Sequence, residues 1–335
     1  MLNSVFQFCT QLRLGVLFMG LFGLSVLTGC ATSPQTQTLL AQSASTFNAT
    51  ELADVPFYPQ TRYQCGPAAL ATVMQYRGRD VLPDELVSQV YIPEKQGSLQ
   101  IEMVAATRKQ GLMPYPLKPE LSALLSEVDA GNPVLVMQNL GLDWYPVWHY
   151  AVVVGYDLTE RHLILRSAET KRWISDLSTF ERTWQRSNYW ALVVDTPDQL
   201  PATAEPAVWL KTAFELEQVG QTHAAIQAYQ TGLNQWPDSF EIGLALTNLH
   251  YTQQNFAQAD SIFESMVSQH GSNAILWNNW AYNLKAQSCY KQAKQAAACA
   301  IKRQPDKNNI QSTWSEMQAL ADQNQAIDCP VINCD

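Results

Sequence analysis

A lone cysteine, Cys65, lies in the segment TRYQCGPAALATVMQYRG (residues 61–78), directly before a Gly-Pro pair. Pro67 suits the first turn of a helix, because the N–H that proline lacks would have no partner there. Apolar residues follow at helical spacing, and Gly78 ends the element. Cys65 is therefore predicted at a helix N-terminus, where the helix dipole and free N–H groups stabilise a thiolate and can hold an oxyanion.

A nucleophilic thiol needs a base, and the chain has five histidines. His149 begins the apolar run HYAVVVGYD (149–157), which is predicted to be a strand. The other four are interpreted as strand-end, surface or packing residues: His162, His223, His250 and His270. A helix-borne cysteine followed about 80 residues later by a strand-borne histidine is the order found in papain-type enzymes. Cys65 and His149 are thus the predicted nucleophile and base.

Three segments carry a family resemblance: VPFYPQTRYQCGPAALATVMQYRG, GNPVLVMQN and HYAVVVGYD. Together they resemble the bacteriocin-processing cysteine peptidases, peptidase family thirty-nine, and their papain-like relatives, over residues 54 to about 195. The resemblance implies an α+β papain-like cysteine peptidase domain, placed here at residues 51–196. It also implies thioester chemistry on a peptide or protein substrate.

The same resemblance implies a glutamine upstream of the cysteine that donates to the oxyanion. Gln60, five residues before Cys65, is the first candidate. The family more often places this glutamine six residues before, where this chain has Pro59. Gln64 is the second candidate.

The partner of the histidine departs from the family pattern. An Asp-Pro pair on the next strand usually orients the histidine, whereas this chain reads LILRSAE there, with Ser167 at the Asp position. Asp157 lies eight residues along the strand from His149, about 26 Å away, so it is expected to shape the hairpin turn instead. Across the hairpin, Ser167 or Glu169 could reach the imidazole, or no third member is present.

The N-terminus is predicted to be a targeting segment. An apolar run of 14 residues, Leu14 to Leu27, suits the core of a signal peptide and is short for a membrane span. It ends in LTGC, which resembles a bacterial lipobox and implies cleavage after residue 29 and lipidation of Cys30. A plain signal peptide or an uncleaved anchor is the alternative.

Residues 30–50 contain no charged side chain and are predicted to form a flexible tether. Ala31 follows the lipobox cysteine, and this resemblance favours the outer membrane of a Gram-negative cell, with the protein facing the periplasm.

The remaining cysteines form a C-terminal group of four: Cys289, Cys299, Cys329 and Cys334. An even group in an exported protein predicts two disulfides, with a four-cysteine zinc site as the rival. Cys289 and Cys299 would lie about 15 Å apart at the two ends of one helix, too far for a bridge. The bridges are therefore predicted to join that helix to the tail, in either pairing.

The second half of the chain repeats with a period of 34 residues. Ala225, Ala259 and Ala293 share this spacing, as do three other sets of aligned positions. The pattern resembles tetratricopeptide repeats and implies an all-α solenoid over residues 208–307 that binds a protein partner. A proline-rich linker is predicted at 197–207, and a capping helix at 311–322 within a terminal segment at 308–335.

The composition bounds the function. The 335 residues are 47% apolar and 15% charged, with a net charge of −9, which suits two folded domains and argues against nucleic-acid binding. No cofactor and no metal is expected. The first hypothesis is a membrane-anchored cysteine peptidase. The alternatives are a non-catalytic, peptidase-like scaffold lipoprotein of the cell envelope, and an inert domain in which Cys65 is structural.

Overall fold

The computed structural model describes residues 33–42, 47, 49–60, 64–322 and 328–334. The predicted signal peptide at 1–29 and the predicted lipidation site Cys30 lie outside these ranges. Within the described ranges, no helix has the length and apolar character needed to cross a membrane.

An antiparallel sheet of seven strands carries the candidate site. In space the order is β4-β9-β5-β6-β7-β8, and β1 also pairs with β6. The long apolar runs predicted as strands all belong to this sheet. The bounds of its strands are β1 Ala49–Glu51, β4 Met113–Pro116, β5 Val134–Asn139, β6 Trp148–Asp157, β7 His162–Ser167, β8 Thr170–Asp176 and β9 Ala191–Asp195, and a separate hairpin joins β2 Tyr91–Ile92 to β3 Gly97–Ser98.

Side-chain alternation along β6 divides the core of this domain in two. Tyr150 and Val152 point into one cluster, which the cysteine helix covers. Ala151 and Val153 point into the other, which extends into the first repeat. The helices that cover the sheet are α1 Pro34–Gln42, α2 Cys65–Tyr76, α3 Pro83–Val90, α4 Gln100–Lys109, α5 Leu121–Asp129 and α6 Leu177–Gln185.

The prediction of a flexible tether over residues 30–50 is wrong for its described part. Pro34–Gln42 form helix α1, and Leu39 is buried in the core. The carboxylate of Glu181 in α6 accepts the backbone N–H groups of Gln35 at 2.9 Å and Thr36 at 2.6 Å. These two N–H groups belong to the first turn of α1, where the helix itself offers no acceptor, so Glu181 fixes the start of the helix.

The predicted linker is tied to the sheet domain through a buried carboxylate. Glu127 of α5 is fully buried and accepts the backbone N–H groups of Ala202 at 3.1 Å and Thr203 at 2.8 Å. It also accepts the Thr203 hydroxyl at 2.5 Å and the Asn132 side-chain amide at 2.7 Å. Because four donors surround this buried charge, the linker is held in one conformation.

The C-terminal region consists of helix pairs that recur every 34 residues, as the sequence predicts. The first helices of successive pairs start at 206, 240 and 274, and the second helices at 222, 256 and 290. The bounds are α7 Pro206–Gln218, α8 Thr222–Gln235, α9 Phe240–Thr252, α10 Phe256–His270, α11 Ala274–Ala286 and α12 Tyr290–Arg303. The capping helix α13 is Asn308–Gln318, so it begins and ends earlier than the predicted 311–322.

The first repeat shares its core with the sheet domain. Trp209, Ala213 and Leu216 of α7 are fully buried in the same cluster as Ala151 and Val153 of β6. A solenoid repeat needs a neighbour to cover its apolar face, and here the sheet domain fills that place at the N-terminal end of the array.

The middle repeat carries Gly243 at an aligned position where the third repeat has Trp277. A Cβ atom at Gly243 would lie 2.7 Å from the sulfur of Met266, so Met266 occupies the space of the missing side chain. The middle repeat therefore lacks a large side chain on its first helix, and the flexible side chain of Met266 on its second helix fills the space.

Two disulfides join the last repeat to the tail, within the range of pairings predicted from the sequence. Cys289 pairs with Cys329 and Cys299 with Cys334, with Cα–Cα distances of 5.7 and 5.6 Å. The rival prediction, a zinc site made of the four cysteines, is wrong because all four sulfurs are used in these bridges. Cys65 is the free cysteine of the part of the chain that the structure describes.

Candidate active site

Cys65 is the first residue of α2, and this helix packs against β6. The backbone N–H groups of Tyr150 and Gly66 donate toward its sulfur and lower the pKa of the thiol. Burial acts in the opposite direction and is the larger effect, so the pKa of the Cys65 thiol lies above its usual value. In this state the side chain is a neutral thiol at neutral pH, which differs from the activated thiolate expected at a helix N-terminus.

His149 is the second residue of β6, and its ring is fixed by a serine on the next strand. The Nε2 atom of His149 lies 2.9 Å from Oγ of Ser167, which is 8% exposed. Glu169, the other candidate partner, is exposed. Burial lowers the pKa of His149 to about 4, so the imidazole is neutral at neutral pH and Nδ1 is the nitrogen left for another partner.

The Cys65 thiol lies beside Tyr150 of β6, the residue next to His149. The thiol and the His149 imidazole nevertheless lie on different faces of the sheet. The Cys65 sulfur contacts the backbone of Tyr150. Cys65 packs with the cluster of Tyr150, whereas His149 shares the face of Ala151. Among the described residues, the hydrogen bond found for the His149 ring goes to Ser167, not to the Cys65 sulfur.

A cavity of about 430 Å³ opens beside the His149 ring. Its walls are mostly apolar, with Leu140, Leu165, Trp173 and Ile174 among them, and Ser167 also lines it. Helix α6 closes one side of the cavity with Thr179 and Thr183. Asp176 caps the start of this helix by accepting the Thr179 N–H at 2.8 Å. A concave apolar space beside a few polar groups is typical of a ligand pocket.

The two glutamine candidates flank residues 61–63, which lie outside the described ranges. The backbone N–H of Gln60 donates to the carbonyl of Ala168 at 3.0 Å, which places Gln60 beside the turn that follows Ser167. Gln64 is the residue directly before helix α2. The role of either side chain at an oxyanion stays a prediction.

Asp157 shapes the hairpin turn, as predicted. Its carboxylate accepts the N–H groups of Thr159 at 2.9 Å and Glu160 at 3.0 Å. It lies at the end of β6 that is remote from His149, so it takes no part in orienting the ring.

Sequence reasoning missed two polar groups near the site. Gln138 is paired with His149 across β5 and β6, and its side-chain amide donates to Thr183 at 2.6 Å. Ser98, in the small hairpin, lies against Gly66 with its hydroxyl buried and without a hydrogen-bond partner. The glycine directly after Cys65 was the available sign that another residue packs closely there, because glycine has no side chain to exclude it. That residue is Ser98.

Replacing Gly66 with alanine is expected to disturb the start of α2. The new Cβ would lie 2.2 Å from the Ser98 Oγ and 2.6 Å from its Cβ, so the hairpin must shift, at a cost of about 1–3 kcal/mol in unfolding free energy. Urea unfolding of Gly66→Ala, Ser98→Gly and the double variant measures this cost. The double variant should recover most of the loss, and simple addition of the two single effects would contradict the steric explanation.

Residues 52–192 match the model of the Peptidase_C39 like family. This range contains Cys65, His149, Gln60 and Ser167. No curated protein matches the chain.

Several solved structures are similar to parts of the chain. A C39-like peptidase from Bacillus anthracis is 17% identical, with a TM-score of 0.38, and the match covers 44% of this chain and 98% of that one. The peptidase domain of Streptococcus ComA, a bifunctional ABC transporter of a quorum-sensing pathway, is 23% identical, with a TM-score of 0.35 and coverages of 42% and 98%. The first tetratricopeptide repeat domain of Spaghetti (RPAP3), bound to an HSP90 peptide, is 15% identical, with a TM-score of 0.32 and coverages of 34% and 90%.

The predicted fold class is confirmed: an α+β papain-like, C39-like region is followed by an all-α region of tetratricopeptide-like helix pairs. Chemically, the C39-like region offers a thiol at a helix N-terminus and a neutral imidazole held by a serine. Both are the neutral forms that a Cys–His pair has before proton transfer.

Proposed function

We propose that this chain is a membrane-anchored, extracytoplasmic cysteine peptidase that acts on a peptide or protein substrate. In this proposal Cys65 is the nucleophile, His149 the general base and acid, and Gln60 a donor to the oxyanion. Ser167 is a positioning residue that holds the His149 ring.

The contact between His149 and Ser167 carries the proposal. It fixes Nε2, as a carboxylate does in other Cys–His sites, and leaves Nδ1 for the thiol. The sulfur contacts the backbone of Tyr150, the residue next to His149, and a reactive pair requires the His149 ring to move from the face of Ala151 toward the cysteine helix. The match of residues 52–192 to a peptidase family supports the same conclusion.

The reaction follows from these groups. Nδ1 of His149 takes the thiol proton while the sulfur bonds to the substrate carbonyl carbon, whose π electrons move to oxygen. The Gln60 side-chain amide and the Cys65 N–H donate to that oxygen. The C–N bond then breaks, and the leaving amine takes the proton from His149. Water adds to the thioester, giving its proton to His149, and the acid leaves as the thiol reforms.

One observation favours a second candidate, a non-catalytic, peptidase-like scaffold of the cell envelope. The imidazole faces the apolar cavity on the other side of the sheet from the cysteine helix, and burial keeps both groups neutral. A binding module needs no ion pair and would use the same cavity for a ligand.

The location and partners complete the proposal. A lipid on Cys30 would attach the chain to a membrane, the outer membrane of a Gram-negative cell facing the periplasm. The two disulfides support an oxidising compartment. The helix pairs would hold a protein partner or substrate near the C39-like region, as repeat arrays commonly do.

Peptide turnover distinguishes the two candidates. The full-length protein, purified in detergent with its N-terminus as the cell makes it, is incubated with peptides from digested envelope proteins, and mass spectrometry follows new products and acyl adducts on Cys65. The wild type should cleave, and Cys65→Ala should not. Ser167→Ala should slow cleavage about tenfold or more, because the ring loses its fixed orientation.

Ser175→Ala is the matched control, because Ser175 lines the same cavity without contacting His149. It should cleave at the wild-type rate. Identical products from the wild type and Cys65→Ala would favour the non-catalytic scaffold.

A further inference from the structure

The loop between β5 and β6 together with the first residue of β6, residues 140–148 and here called the aromatic loop, exposes six large apolar side chains. Trp144 is 80% exposed and Tyr145 68% exposed. Four more of its residues are about half exposed: Leu140, Leu142, Val147 and Trp148. Contiguous apolar exposure of this kind marks an interaction surface.

The aromatic loop is held in this exposed form by polar contacts at its base. The Asn139 side-chain oxygen accepts the N–H groups of Gly141 and Val147, both at 2.9 Å. A Cβ at Gly141 would lie 2.4 Å from the Tyr145 carbonyl oxygen, so only glycine fits there. Arg186 donates to the Gly141 carbonyl at 2.8 Å from the C-terminal end of α6. The exposure is therefore a property of the folded loop.

The aromatic loop projects away from the cavity beside His149. Of its six exposed apolar residues, Leu140 is the one that lines that cavity. Small ligands and peptide side chains bind in concave sites, whereas Trp144 and Tyr145 stand at the end of a hairpin. A broad surface suits this shape better than a small ligand does.

The N-terminal segment indicates which surface this is. Helix α1 begins at Pro34, four residues after Cys30, so an extended chain between them spans at most about 14 Å. The first turn of α1 is bound to Glu181 of α6, and Arg186 at the end of α6 holds the aromatic loop. Glu181 and Arg186 are five residues apart, about 7.5 Å along the direction of α6. A lipid on Cys30 would thus bring a membrane close to the aromatic loop.

We infer that the aromatic loop inserts into the headgroup region of the membrane that carries the anchor. The inference rests on the lipid anchor in the proposed function but not on the peptidase reaction. Tryptophan and tyrosine favour the membrane interface, where the apolar ring is buried and the polar edge stays hydrated. The single charged residue of the loop, Asp143, lies 3.8 Å from the Arg186 guanidinium, which offsets its charge. Docking on the bilayer would fix the orientation of the C39-like region relative to it.

Quenching of tryptophan fluorescence by brominated lipid tests this inference. The full-length protein is reconstituted into vesicles of phosphatidylethanolamine and phosphatidylglycerol, with or without brominated phosphatidylcholine, and the lipid on Cys30 is verified by mass. Bromination should lower the wild-type emission. In Trp144→Phe/Trp148→Phe the fraction of emission lost should fall to half or less of the wild-type value.

Trp236→Phe/Trp314→Phe is the matched control, because both residues lie in the helical repeats and are partly buried. The amount of emission that this control variant loses on bromination should equal the amount that the wild type loses. Cys65→Ala should also behave like the wild type, which separates this test from the peptidase reaction. Equal quenching in the wild type and in Trp144→Phe/Trp148→Phe would overturn the inference and leave a protein partner or a second copy of the chain as the occupant of the loop.

Discussion

Alkylation of Cys65 by iodoacetamide is expected to accelerate about a hundredfold between pH 6 and pH 8, because only the thiolate reacts. Burial raises the pKa of this thiol, so over that range the thiolate fraction grows tenfold per pH unit. A thiol activated by an imidazolium would instead react at a nearly constant rate across this range. The measurement is the rate of labelling of the Cys65 peptide, followed by mass spectrometry.

His149→Ala is expected to leave this profile unchanged. The pKa of His149 is about 4, so between pH 6 and pH 8 the imidazole is neutral and contributes no charge to the thiol. Cys65→Ala should show no labelling at that peptide. A rate that is high and flat below pH 7 in the wild type and steep in His149→Ala would mean that the ion pair already exists, contrary to the structure.

Glu127→Ala is expected to lower the free energy of unfolding by about 3–5 kcal/mol, because four buried donors lose their acceptor. Its partners include Ala202 and Thr203 in the linker, so the loss should loosen the junction between the two regions as well. Urea unfolding followed by tryptophan fluorescence and by circular dichroism measures both effects. The two transitions should coincide in the wild type and separate in the variant.

Glu120→Ala is the matched control for Glu127→Ala. Glu120 immediately precedes the same helix α5, but its side chain is exposed. Its substitution should change the free energy of unfolding by about 0.5 kcal/mol or less. A shift in Glu127→Ala no larger than in this control would show that the linker is fixed by apolar contacts alone.

Features that depend on local sequence could be predicted closely. The Gly-Pro pair after Cys65 set the start of α2, and the 34-residue period set the helix pairs of the repeats. The hairpin between β6 and β7 placed Ser167 within reach of His149. In each case the determining residues are near one another in sequence, or repeat at a fixed spacing.

Features that depend on distant partners could not be predicted. Helix α1 looks like a tether because it has no charges and few apolar residues, and its order comes from Glu181, 146 residues from Gln35. Glu127 likewise binds a linker about 75 residues away. Neither contact leaves a pattern in the local sequence.

The relation between the thiol and the imidazole could not be predicted for a different reason. Strand β6 is buried on both faces, so apolar residues occupy consecutive positions from Tyr150 to Val154. Such a strand does not indicate which face the cysteine helix covers. The order of Cys65 and His149 along the chain predicts that they belong to one site, but it leaves the direction of the His149 ring open.

The shared core between α7 and the sheet domain has a consequence for how a captured protein would meet Cys65. Because Trp209, Ala213 and Leu216 are packed inside that core, the described junction fixes the distance between the first repeat and the sheet domain that carries the thiol. In the proposed peptidase, the local concentration of a captured protein's cleavable segment near Cys65 would then be governed by the length and stiffness of that protein's own unstructured parts. Selection among substrates would follow from where a flexible segment lies relative to the captured site, in addition to the residues at the scissile bond.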